Sequence, residues 1–133
     1  MANPTVTSWT RQVGRKGMTL WHSLSSDTTN WTDQVIVDLS ALLHGYTNNL
    51  TIERIVGRCT AGVEFTLEID CTTDQLVYNH PLGSIEQIDV DFTWGGREGV
   101  VKTAAGATGD LVITTLNAAA ADEIMLIIYW KAS

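Results

Sequence analysis

The clearest structural pattern in the chain is VEFTLEIDC, residues 63–71. Every second residue in it is apolar or a cysteine, and the residues between are acidic or threonine. A period of two is the spacing of a β-strand with one buried face and one solvated face. The same alternation returns in IDVDFTW, residues 88–94. The sequence therefore predicts two half-buried strands as the frame of the fold.

The remaining sequence favours an all-β protein. The chain has 18 Thr but only three Lys, and threonine, like valine and isoleucine, suits a pleated surface better than a helix. Helix signals are confined to one or two turns at residues 38–45, with Ser40 as N-cap and Gly45 as C-terminal stop. Short strands separated by turns predict an antiparallel, jelly-roll-like β-sandwich. Further strands are predicted at residues 18–21, 35–39, 50–59, 75–78, 111–115 and 123–131.

The last predicted strand, residues 123–131, differs from the others because it is apolar on both faces. Such a strand is either central between two layers or covered by a neighbouring subunit. We therefore expect a symmetric homo-oligomer, with a trimer favoured over a dimer, formed partly through this strand. The side chains predicted to contact a partner there are Met125, Ile127 and Tyr129.

The first residues differ in charge from the rest of the chain. They contain three of the eight basic residues, Arg11, Arg15 and Lys16, and no acidic residue precedes Asp27. This segregation predicts an extended N-terminal arm, residues 1–17, ahead of a single sandwich domain, residues 18–133. The arm would order on a partner, with Trp9 as a buried anchor and the three cations paired with acidic groups. A frayed terminus and an internal strand of the sandwich remain as alternatives.

Length and charge exclude several classes of protein. The chain has 133 residues and a net charge of −7, the wrong sign for binding a phosphate backbone, so no nucleic-acid partner is expected. The longest apolar run, residues 124–130, is far shorter than the roughly 20 residues that a membrane span needs. The first residues have no apolar stretch of a secretory signal, so neither a membrane association nor a signal peptide is expected.

No enzyme signature is visible, and no catalytic, cofactor or metal residue is predicted. His22, His44 and His80 are scattered without metal-ligand spacing. Asp89 and Asp91 share one strand face, where acidic residues are usually solvated rather than catalytic. Cys59 and Cys71 are predicted as free thiols. A hairpin through residues 60–62 would place them about 26 Å apart along the ladder.

Five Trp residues keep a second function class open. Exposed tryptophans in a row on a β-sandwich can stack on sugar rings, so a carbohydrate-binding module is the alternative prediction. It would bind through an exposed residue such as Trp31 or Trp94. The competing interpretation places Trp94 and Trp130 over the core and Trp9 in a subunit interface.

Two stretches carry a resemblance to a known group of proteins. One is Asp38-Leu39-Ser40 followed by LTIERI at residues 50–55, and the other is TGDLVITT at residues 108–115 with the apolar strand that ends at Lys131. Together they resemble small β-sandwich virion proteins of tailed bacteriophages, particularly capsid decoration or cement proteins. The resemblance implies a non-catalytic protein on the outer capsid surface of the virion that clamps neighbouring major capsid subunits. A neck or tail position is the alternative within this group.

Overall fold

The computed structural model describes residues 5–25, 28–46, 48–81, 86–101 and 108–133. Within these ranges the chain forms ten strands, all paired antiparallel, and a single-turn 3-10 helix at Leu39–Ala41. The prediction of an all-β, antiparallel sandwich is confirmed. The strands are β1 (Thr5–Val13), β2 (Lys16–Leu24), β3 (Gln34–Val37), β4 (Leu50–Cys59), β5 (Glu64–Ile69), β6 (Gln75–His80), β7 (Gln87–Asp91), β8 (Val100–Val101), β9 (Leu111–Leu116) and β10 (Glu123–Ala132).

The strands form two sheets that share one core. The large sheet has the order β1-β2-β10-β4-β7, with β8 also paired to β4, and the small sheet has the order β3-β9-β5-β6. Buried apolar residues of both sheets belong to a single cluster. The doubly apolar strand β10 is the central strand of the large sheet, paired with β2 on one side and β4 on the other.

The core contains apolar residues from several of the predicted strands. Ile69, Ile113, Leu126 and Ile128 are fully buried. Val90 and Phe92 were also expected in the core, but they are only partly buried against it. They lie at or just beyond the end of β7, an edge strand that has a neighbour on one side only.

The Trp130 side chain packs against β2 from its position on β10. Its indole is fully buried, and its Nε1 donates a hydrogen bond to Thr19 Oγ1 at 3.0 Å. Gly17, the residue paired with Trp130 on β2, leaves the space that the ring occupies. A Cβ at Gly17 would lie 2.1 Å from the ring, so only glycine fits beneath this tryptophan.

Residues 1–17 were predicted as a separate arm, but their described part belongs to the large sheet. Residues 5–13 form β1, which pairs with β2 along nine consecutive residues, and the start of β2 follows after a two-residue turn. Ala132 N donates to Arg15 O, and Arg15 Nε donates to Ala132 O. Residues 1–4 lie outside the described part. The Thr, Val and Trp residues of β1 favour a strand, a preference that the charge segregation obscured.

The expected hairpin between Cys59 and Val63 is wrong. β4 pairs with β10, β7 and β8, whereas β5 pairs with β6 and β9. Residues 60–62 therefore cross from one sheet to the other instead of closing a hairpin. The conclusion about the thiols holds nonetheless, because Cys59 and Cys71 are both free and buried. The helical turn also begins two residues earlier than predicted, with Asp38 rather than Ser40 as the N-cap.

Candidate functional site

The candidate site is the outer face of the large sheet, the face turned away from the core. Residues directly opposite each other on antiparallel strands lie on the same face. The pairing connects Trp9 to Leu20, Leu20 to Ile127, and Ile127 to Val56, so four apolar side chains form one row across β1, β2, β10 and β4. A second row lies two residues further along each strand, and the pairing joins its members in the same way: Arg11, Met18, Tyr129 and Arg54.

We call the apolar centre of this surface the assembly face. The row of four is its middle. Trp9 is its most exposed member, with 52% of its surface accessible to solvent. Residues 18, 20, 56, 125 and 127 are half-buried, and their neighbours within the sheet account for that partial burial. In the described residues no second layer covers them. The assembly face consists of Trp9, Met18, Leu20, Val56, Met125, Ile127 and Tyr129.

Charged side chains lie around the assembly face, and most of them are paired. The Arg54 guanidinium donates three hydrogen bonds to the Asp89 carboxylate, at 3.0–3.1 Å. Lys16 lies 3.8 Å from a Glu53 oxygen. Asp91 accepts hydrogen bonds from the Thr93 hydroxyl and N–H, and these lower the pKa of its carboxyl group. The two aspartates that share this strand face thus both accept hydrogen bonds from neighbouring side chains.

The structure brings together most of the residues predicted to contact a partner. Trp9, Met125, Ile127 and Tyr129 belong to the assembly face, and Arg11 lies in the row beside it. Lys16 lies at the same end of the sheet. Arg15 is different, because it sits in the β1–β2 turn and its Nε is bonded to the end of β10. Met18, Leu20 and Val56 were missed, since only the strand order shows that they adjoin β10.

A second cluster lies in the interior and was not predicted from sequence. Cys59 Sγ lies 3.3 Å from His80 Nε2, and the Tyr78 hydroxyl lies 3.0 Å from His80 Nδ1. The His80 ring stacks on Phe65 with 5.1 Å between ring centroids. Because Cys59 and His80 are 21 residues apart and lie in different sheets, no local pattern in the sequence relates them.

The electrostatics of this cluster favour neutral groups. Burial raises the pKa of Cys59, and the charges of Glu86 and Asp122 raise it further. Burial lowers the pKa of His80 and raises that of Tyr78. A reactive thiol needs a depressed pKa and an exposed sulfur. The cluster therefore has the properties of a hydrogen-bonded core element and not of a thiolate paired with an imidazolium.

The buried imidazole of His80 should make the stability of the protein depend on pH. Because the pKa of His80 is lowered in the folded state, the unfolded chain takes up a proton below about pH 6.5 that the folded chain resists. The free energy of unfolding should fall from pH 7 to pH 5.5, by at most about 1.4 kcal/mol per pH unit for one proton. Urea unfolding of wild type and His80→Gln at both values measures the difference.

In His80→Gln this part of the pH dependence should disappear, while the exposed-site control His44→Asn should keep it. An equal fall in stability for wild type and His80→Gln would contradict the prediction. Glu68 acts with the opposite sign, because burial, Asp74 and Asp33 raise the pKa of its carboxyl group. The comparison of variants at the same pH removes that contribution.

The acidic group around Glu68 is the set of described side chains that could hold a cation. Carboxylate oxygens of Asp33, Glu68 and Asp74 lie within 4.8 Å of one another, on the small sheet and the loops beside it. Exposed acidic groups often lie this close without a metal. Sequence reasoning missed this group because its members lie on three separate segments.

The tryptophans do not form a platform for a sugar ring. Trp94, 82% exposed, follows β7 at one edge of the large sheet, while Trp9 lies on β1 at the other edge. Trp31 is half-buried, and its Nε1 donates to Ser23 Oγ at 3.0 Å. Trp21 and Trp130 are buried. The two most exposed indoles are thus separated by the width of the sheet.

Comparison of the chain with protein-family models, curated proteins and solved structures finds no match. In the described ranges, no helix is long and apolar enough to span a membrane. The class of protein that the structure defines is therefore an antiparallel β-sandwich with an uncovered apolar face on its larger sheet.

Proposed function

We propose that the chain is a non-catalytic structural protein of a tailed-bacteriophage virion, which decorates the outer capsid surface and clamps neighbouring major capsid subunits. The observation that carries this proposal is the assembly face. The sandwich already has a closed core, so the apolar row across four strands is not needed to fold it. Uncovered apolar surface of this kind normally marks a site of protein association.

The strand order supports the jelly-roll form of the fold. β2, β3, β4 and β5 alternate between the large and the small sheet, β6 pairs with β5, and β7 returns to the large sheet. β9 then enters between β3 and β5, and β10 enters between β2 and β4. Without the edge strand β1 and the short strand β8, this leaves two sheets of four strands each. That is the arrangement of jelly rolls, which occur in viral capsid proteins and in lectins.

The assembly face has the composition of a protein interface. It contains two aromatic residues and two methionines, residue types enriched at interfaces, and charged residues lie at its rim. Trp9 and Tyr129 are the candidates for anchors that fill pockets on the partner, because such residues carry most of the binding free energy. The partner proposed is the major capsid protein. Self-association is part of the proposal. The sequence favoured a trimer over a dimer, and the edge strand β1 of the large sheet favours a dimer instead.

The alternative function is a carbohydrate-binding module, since jelly rolls also occur in lectins. Trp94 is the feature that favours it, because its indole is 82% exposed. A single exposed tryptophan offers one stacking surface for a sugar ring, so this alternative has less support than the assembly face gives to protein binding. A neck or tail component of the virion would use the same assembly face on a different partner.

Sedimentation with virus particles separates these functions. The protein, mixed with particles built from the major capsid protein encoded in the same genome, is expected to sediment with them and to bind nothing on a glycan panel. Trp94→Ala should leave sedimentation unchanged. Glycan binding that Trp94→Ala abolishes, together with no sedimentation, would contradict the proposal and favour the carbohydrate-binding alternative.

A further inference from the structure

β1 is a long edge strand whose outer side is open. It has nine residues, and all nine pair with β2 without a register shift. In the described residues no backbone–backbone hydrogen bond joins β1 to a segment other than β2. At its end, the Gln12 side chain donates to Leu43 O and accepts from Leu43 N–H. Residues 7–11 of β1 are exposed, and Arg11 is the one charged residue in the strand. An edge of this kind is a template for pairing with another chain.

The other edges of the sandwich carry features that discourage such pairing. β3 has only four residues and a register shift against β9. The pairing of β6 with β5 has a register shift between Leu67 and Glu68. β7 has five residues, two of them aspartates. Short length, bulges and charges are the devices by which proteins protect sheet edges. β1 is long, has no register shift and carries the single charge of Arg11.

The β1–β2 turn shows which backbone groups are available. Gly14 and Arg15 form a two-residue turn with Gly14 at φ 61°, the pattern of a type II′ hairpin. Such a turn is closed by a hydrogen-bonded pair, here Val13 with Lys16. Because hydrogen bonding alternates along the strand, Val6, Ser8, Thr10 and Gln12 direct their N–H and C=O groups to the open edge.

We propose that β1 pairs antiparallel with β1 of a second copy of the chain, with Trp9 at the twofold axis. With Trp9 on the axis, all nine residues of β1 have a partner in the second copy. It places the two Trp9 side chains opposite each other and Arg11 opposite Thr7, so no like charges meet. Aromatic pairs across strands are stabilising. The product is a dimer, not the trimer that the sequence favoured.

The pairing extends the large sheet across the axis. Each subunit contributes β1-β2-β10-β4-β7, so the two assembly faces lie on the same side of one continuous sheet. A partner surface would then meet two copies of the face at once, which raises the effective concentration of the second contact. The dimer does not depend on the proposed function, because it forms without a capsid.

The mass in solution tests the pairing. Light scattering over a concentration series should give about 29 kDa, twice the 14.5 kDa of the chain. Ser8→Pro removes one N–H from the open edge and none from the β2 ladder, so it should give a monomer. The matched control Ser8→Ala keeps the N–H and should stay a dimer. Circular dichroism checks that both variants remain folded.

Cross-linking tests the register independently of these variants. Opposite non-hydrogen-bonded residues have Cα atoms about 4.5 Å apart, within disulfide range. Trp9→Cys should therefore form a disulfide dimer on mild oxidation. Val13→Cys should not, because Val13 would face Thr5 and lie about 27 Å from its own copy. A wild-type monomer at every concentration, a trimer, a folded Ser8→Pro dimer, or equal cross-linking at positions 9 and 13 would overturn the proposal.

Discussion

Trp130→Ala is expected to lower the free energy of unfolding by about 3–5 kcal/mol, the range for removing a buried aromatic side chain. The indole is fully buried between β10 and β2, and its removal leaves a cavity lined by backbone and by Thr19. Gly17, which packs beneath the ring, has no side chain with which to fill that cavity. Urea unfolding followed by circular dichroism measures the loss.

Trp94→Ala is the matched control, because the same change is made at an indole that is 82% exposed. Surface substitutions of this kind usually change stability by less than about 0.5 kcal/mol. Gly17→Ala should also destabilise the protein, since the new Cβ would overlap the Trp130 ring. Equal stabilities of Trp130→Ala and Trp94→Ala would contradict the described packing of β10 on β2.

Ile127→Asp is expected to weaken attachment to capsid particles by about 30-fold or more. Ile127 is the middle residue of the apolar row, flanked by Leu20 and Val56 on the neighbouring strands. A charge at the centre of an interface must be desolvated on binding, and truncation of a central contact typically costs 2 kcal/mol or more. Sedimentation at several particle concentrations gives the affinity ratio.

Val35→Asp makes a comparable apolar-to-acidic change on the outer side of the small sheet. Val35 is exposed and pairs with Val112 of β9. It should attach like the wild type, and circular dichroism should find both variants folded. Loss of attachment for Val35→Asp with normal attachment for Ile127→Asp would assign the contact to the small sheet.

The strands and the core could be predicted because each depends on local periodicity. Residues 50–59 were predicted as a strand with the bounds that β4 has, and the alternation at 63–71 identified Phe65, Leu67 and Ile69 as one face. Burial of alternate residues is a property that a single strand carries by itself. It therefore does not require knowledge of the strand's neighbours.

Pairing between distant strands could not be predicted in the same way. The link at residues 60–62 has the length of a hairpin loop, yet it crosses between sheets, because β4 reaches its partners β7 and β10 only through later parts of the chain. The contact of Cys59 with His80 and the row from Trp9 to Val56 follow from that arrangement. The role of residues 5–13 was misjudged for a related reason. Their charge was considered without their Thr, Val and Trp content, which favours a strand.

Cryo-electron microscopy of virus particles that carry this chain would show whether the assembly face contacts the capsid. We expect sandwich-shaped density on the outer capsid surface, with the outer side of the β1-β2-β10-β4-β7 sheet against the major capsid protein and Trp9 and Ile127 in the contact. Density in which that side of the sheet faces solvent, while the small sheet meets the capsid, would contradict it.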